Sequence, residues 1–144
     1  MAPVSRTSEI RRFWERLGLP GLVDVHTHVM PERVLHKVWD HFEGQGPLTG
    51  GLEWPISYRQ QEAERAAVLR EFGVRAFTSM LYPHKPGMAW WLNGWAADFA
   101  HRTSDCLHTA TLCPEPGVET YVREAVEAGA RVQGACAGRR VRSD

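Results

Sequence analysis

The order in which strand-like and helix-like stretches follow one another constrains this chain most. Four short apolar runs read as strands, at residues 22–26, 74–81, 107–112 and 130–134. Between the later ones lie segments of helical period: residues 88–101, which carry Trp90, Trp91 and Trp95, and residues 118–128, which Gly129 stops. Two more helices precede the second strand. Pro31 opens one through "PERVLHKVWDHFE", with Val34, Leu35, Val38, Trp39 and Phe42 as its apolar stripe, and residues 59–72 form another, rich in Ala, Glu and Arg. A short amphipathic helix at 8–17, with Ser8 as its cap, leads in. Strands alternating with helices specify βα units on a parallel sheet. The expected fold class is therefore α/β.

Composition narrows the function classes. The chain has 144 residues, of which 43% are hydrophobic and 24% charged, which suits one globular domain. Its formal net charge is zero, so neither nucleic acid nor a membrane surface is an expected partner. Six tryptophans supply an aromatic core or the walls of a pocket. Cys106, Cys113 and Cys136 are odd in number and lack CxxC spacing, so reduced thiols without a nucleophilic role are expected. The first residues hold no apolar core of signal-peptide length and no window approaches a membrane span, which makes the cytoplasm the expected location.

One stretch carries chemistry. In "GLVDVHTHVMPERV", residues 21–34, His26 and His28 follow an apolar run with one threonine between them. Residues two apart on a strand share a face, which groups Leu22, Asp24, His26 and His28 against Val23, Val25 and Thr27. Two imidazoles at a strand end can chelate one divalent metal, and Asp24, a step deeper, can orient one of them. The same pair is also compatible with two polar loop residues.

The Asp24-Val25-His26-Thr27-His28 motif and the "PE" helix start resemble the first strand of the amidohydrolase superfamily, and more closely the amidohydrolase-related group that includes aminocarboxymuconate semialdehyde decarboxylase. "FGVRAFTSMLYPHKPGM" is similar to that group's second strand and loop, and the likeness of pattern extends over residues 21–132. The resemblance implies a partial (β/α)8 TIM-type barrel, about its first four βα units. It implies a divalent metal cofactor, zinc above all, held by His26 and His28, with Asp24 supporting from behind. The activity implied is that of a metal-dependent hydrolase, acting through a metal-activated water on a small amide- or carboxylate-bearing substrate. A carboxy-lyase of the same group and a non-catalytic metal- or partner-binding fragment are the alternatives.

A full barrel of this kind takes about 250 residues, with a lower limit near 200. The family's remaining ligands and its catalytic acid/base would lie in the second half, and a half barrel leaves a sheet edge open to homo-oligomer formation. Three segments are expected: a lead-in at 1–20, the partial barrel at 21–132, and an aberrant tail at 133–144. "QGACAGRRVRSD" lacks the apolar period of a buried strand, and a shifted reading of the same bases can give "FKAHAQVGGYDP", a strand end with Lys and His at its rim. A frameshift near Val132 is the explanation this suggests.

Further candidates are His84 in "LYPHKPG", after the second strand, and Trp54 in the Gly/Pro-rich loop, both as substrate contacts. Beside His84, Lys85 can steer a carboxylate, though a solvated lysine is the plainer reading. Glu115 in "CPEPG" lies after the third strand. His36 and His41 share no helix face and are given no metal role, His101 suits a helix C-terminus, and His108 is expected as a satisfied core histidine. The three tryptophans of residues 88–101 are expected to pack against the sheet.

Overall fold

The computed structural model describes residues 6–43 and 59–135. Within them the elements run α1 (Arg6–Arg16), β1 (Leu22–Asp24), α2 (Glu32–Glu43), α3 (Glu62–Glu71), β2 (Val74–Thr78), α4 (Ala89–Arg102), β3 (Cys106–Leu107), β4 (Thr109–Leu112), α5 (Val118–Glu127) and β5 (Val132–Ala135). Trp54 lies outside the described residues.

Every strand pairing among these elements is parallel. β2 sits between β1 and β3, and β4 pairs with β5. β3 and β4 are one run of chain broken at His108, so the strand segments are laid down side by side in sequence order. The protein is thus a mixed α/β fold on a small parallel sheet.

The third strand was expected unbroken. The break falls at His108, where the chain passes from pairing with β2 to pairing with β5; its carbonyl accepts the backbone N–H of Arg131 at 2.9 Å. The fourth strand also differs from expectation. It runs through Gln133 and Gly134 to Ala135, where the sequence shows no β-branched period. Backbone pairing with β4 carries it, Thr109 opposite Val132 and Leu112 opposite Ala135. At Gly134 a Cβ would meet the Met80 side chain at 3.2 Å, so the smallest residue fits that crossing.

One face of the sheet is covered by helices. Phe77 and Val74 of β2 and Cys106 of β3 pack with Ala66 of α3 and Phe99 of α4, and Leu22 of β1 joins them. Phe99 in turn stacks on Trp95, with ring centroids 5.1 Å apart. The other side of β1 is bare: Val23 and Val25 are 62% and 61% exposed. Leu22, on the face that in a closed barrel is expected to point inward with Asp24, His26 and His28, therefore packs against the helices instead. Two local features explain the shift. A bulge at Arg75 moves the register from Leu22 opposite Val74 to Val23 opposite Ala76. Then Asp24 Oδ1 accepts the backbone N–H of His26 at 3.0 Å, which draws that N–H out of the ladder and ends β1. Strict alternation cannot be carried from Leu22 to His28.

Polar side chains finish the sheet where backbone partners run out. Asn93 of α4 is buried; its Oδ1 accepts the N–H of Thr111 at 2.7 Å, and its Nδ2–H donates to the Thr111 carbonyl at 3.0 Å. Tyr121 of α5 does the same for Cys113, its hydroxyl lying 3.0 Å from the N–H and 2.9 Å from the carbonyl. At the other end of the molecule, α1 docks through Trp14, whose Nε1–H donates to the Phe72 carbonyl at 2.9 Å. The indole lies so close over Gly73, at φ +85°, that any Cβ there would collide with it.

Candidate functional site

His26 and His28 lie just beyond the C-terminal end of β1, on a segment that leans along the continuation of β2. Thr27 fixes it: its N–H donates to Thr78 Oγ1 at 3.3 Å, and its carbonyl accepts the N–H of Met80 at 2.7 Å. The guanidinium of Arg65, on α3, donates to the His28 carbonyl at 2.9 Å and to the Gln60 carbonyl at 3.0 Å. The two histidines are thus held from the backbone by both the sheet and a helix.

The rings themselves meet. Their centroids are 5.0 Å apart with planes at 87°. Two imidazoles on one tetrahedral zinc, with bonds of about 2.0–2.1 Å, place their centroids about 5 Å apart. His28 Nδ1 lies 2.9 Å from the carbonyl oxygen of Met80. A carbonyl only accepts, so Nδ1 carries a proton, and in the neutral ring Nε2 is the nitrogen that keeps a lone pair. This is the tautomer a metal-binding imidazole needs, with the second nitrogen bonded to backbone. Thr27 Oγ1, between the two ligand candidates, is buried without a hydrogen-bond partner. The residues present therefore fit a divalent ion to the extent of two nitrogen donors. Among the described residues no group of three or more His, Cys, Asp and Glu gathers around one point. Asp24, expected behind the imidazoles, spends Oδ1 on the His26 backbone.

The His28 ring also touches Tyr82, at 5.4 Å between centroids. Tyr82 is on the wall of a cavity of about 630 Å³ formed by α2, the loop after β2 and the first turn of α4. His84 and Lys85 line it from the loop, and Arg33, Lys37 and His41 line it from α2. Val34, Val38, Met88 and Trp91 make its apolar surface, and the Arg33 guanidinium lies over the Trp91 ring at 4.5 Å. Glu115 reaches this loop from beyond β4: its Oε2 accepts the N–H of Gly87 at 2.6 Å.

Sequence reasoning places His84 and Lys85 here but misses the opposite wall. A signal existed. Arg33, Lys37 and His41 recur every fourth residue, which puts them on one helix face above the Val34 and Val38 stripe. Trp91 was expected to pack on the sheet, but it faces the cavity because Arg33 covers it, and Trp90 is exposed; of the three, Trp95 packs as expected.

The remaining candidates are peripheral. Cys106 and Cys113 are buried and outside any disulfide among the described residues, and burial raises the Cys106 pKa, against a nucleophilic role. His108 is not the satisfied core histidine expected: its Nε2 is buried without a partner, and desolvation lowers its pKa. No helix among the described residues is long and apolar enough to cross a membrane. Comparison with protein-family models, with curated proteins and with solved structures finds no match to this chain.

Proposed function

We propose that the chain is the metal-holding part of an amidohydrolase-type α/β enzyme, with His26 and His28 as ligands to a divalent ion, zinc in the first instance. The observation that carries this is the bond from His28 Nδ1 to the Met80 carbonyl, which makes Nε2 the lone-pair nitrogen of the neutral ring, beside His26 at a ring spacing suited to one ion. Strand segments in sequence order, all parallel, are also what the start of a TIM-type barrel requires, and such barrels keep their chemistry at the C-terminal strand ends, where the pair lies.

In this reading the bound ion lowers the pKa of a water or polarises a substrate carbonyl. The chain's own residues set the ligands. Arg65 and Met80 fix the His28 main chain and ring, and Asp24 fixes the His26 main chain. A catalytic zinc site uses three protein ligands, so hydrolysis needs one donor more than the pair.

Zinc binding tests the proposal. Calorimetric titration of the metal-free chain is expected to give one ion per chain. His26→Ala and His28→Ala should each weaken binding by about tenfold or more, with the far-ultraviolet circular dichroism unchanged. Equal zinc affinity in wild type and both variants would refute the assignment.

A further inference from the structure

The cavity beside the histidine pair has a composition of its own. Three basic side chains, Arg33, Lys37 and Lys85, line it, and no carboxylate does among the described residues. Val34, Val38, Met88 and Trp91 supply apolar surface beside them, and the volume of about 630 Å³ falls in the range of small-molecule sites. Arg33 is held over the indole at 4.5 Å, so its planar fork is oriented before any ligand arrives. Lys37 follows one helical turn later, and Lys85 comes from the facing loop, which Glu115 ties down through Gly87.

We propose that this cavity binds a small organic phosphate monoester with a flat apolar body. A monocarboxylate or a phosphodiester carries one negative charge and would leave two of the three cations unmatched. A phosphate monoester carries about −1.5 to −2 at neutral pH and offers three acceptor oxygens in one compact group. Arg33, with its bidentate fork, Lys37 and Lys85 would share the phosphate oxygens, and the organic body would lie against Val34, Val38 and Met88. The site does not depend on a metal at the histidine pair, which touches the cavity through Tyr82 alone among the described contacts.

Phenyl phosphate is the probe, titrated calorimetrically at pH 7.5 with EDTA present, against benzoate, phthalate and inorganic phosphate. Phenyl phosphate is expected to bind one per chain and about tenfold more tightly than each of the others. Lys37→Ala with Lys85→Ala, both exposed and safe for folding, should weaken it by about tenfold or more. Trp91→Leu, which removes the ring that holds Arg33, should weaken phenyl phosphate and inorganic phosphate alike. Tighter binding of benzoate or phthalate, an unaffected double lysine variant, or no binding of phenyl phosphate at millimolar concentration would overturn the proposal. His28→Ala separates it from the metal reading. That variant should lose zinc yet hold phenyl phosphate within twofold, and loss of both would place the anion on the histidine pair and sink the cavity assignment.

Discussion

Replacing Asn93 by leucine removes two hydrogen bonds at once while nearly preserving volume. Both serve the backbone of Thr111, whose residue is fully buried, so no water replaces them. Each orphaned buried group costs about 1–3 kcal/mol, which puts the expected loss at about 2–6 kcal/mol. A domain of this kind has a total stability of about 5–15 kcal/mol, so the variant should be severely destabilised or unfolded. Asn93→Asp keeps the acceptor for the Thr111 N–H but turns a second oxygen towards the Thr111 carbonyl, and should fall between leucine and wild type. Urea denaturation followed by circular dichroism measures all three, and hydrogen exchange at the Thr111 amide gives a local readout. The reasoning fails if Asn93→Leu lies within about 0.5 kcal/mol of wild type, the range of an ordinary surface substitution.

Two further outcomes follow from the site and the sheet. Arg65→Met removes the guanidinium from the His28 carbonyl without touching either imidazole, so zinc affinity should fall by about tenfold while the stoichiometry stays unchanged; an unaltered affinity would show that the loop holds itself. His108 gives a pH dependence. Desolvation depresses its folded pKa, partly opposed by its hydrogen bond to the Ala128 backbone. The unfolded chain therefore takes up the proton first, so the contribution is complete above about pH 6.5 and is lost as pH falls through the depressed folded value. His108→Leu should flatten the fall in stability between pH 7 and pH 5, and an unchanged slope in urea titrations across that range would contradict the assignment.

Much of this architecture is legible along the chain because period and punctuation agree. The helix expected at 118–128 is found at Val118–Glu127, and the one expected at 88–101 at Ala89–Arg102. Glycine stops and apolar period fix such elements locally. Departures come where a side chain captures a backbone N–H. The strand expected at 22–26 ends at Asp24 because a carboxylate captures the next available N–H. The helix expected from residue 59 begins at Glu62, where Gln61 and Glu64 form the start: the Gln61 N–H donates to Glu64 Oε2 at 3.2 Å. The histidine pair could be found by its spacing, but the tautomer could not. It depends on the Met80 carbonyl, 52 residues away. The basic wall of the cavity was visible in the fourfold spacing of Arg33, Lys37 and His41, although nothing in that spacing says that Trp91 faces it.

The break at His108 has a consequence for how the molecule opens. It divides the backbone ladder into two parts, β1–β2–β3 and β4–β5, with no strand pairing between them among the described residues. What spans the seam is side-chain chemistry: Thr109 Oγ1–H donating to the Ser79 carbonyl at 2.9 Å, and Asn93 gripping Thr111 from α4. Cooperativity between the halves therefore rests on these polar groups and on the packing of Ala89 of α4 against Cys113 and Tyr121, instead of a continuous ladder. The β4–α5–β5 portion forms a natural unit for sub-global unfolding, separate from the portion that carries the histidines.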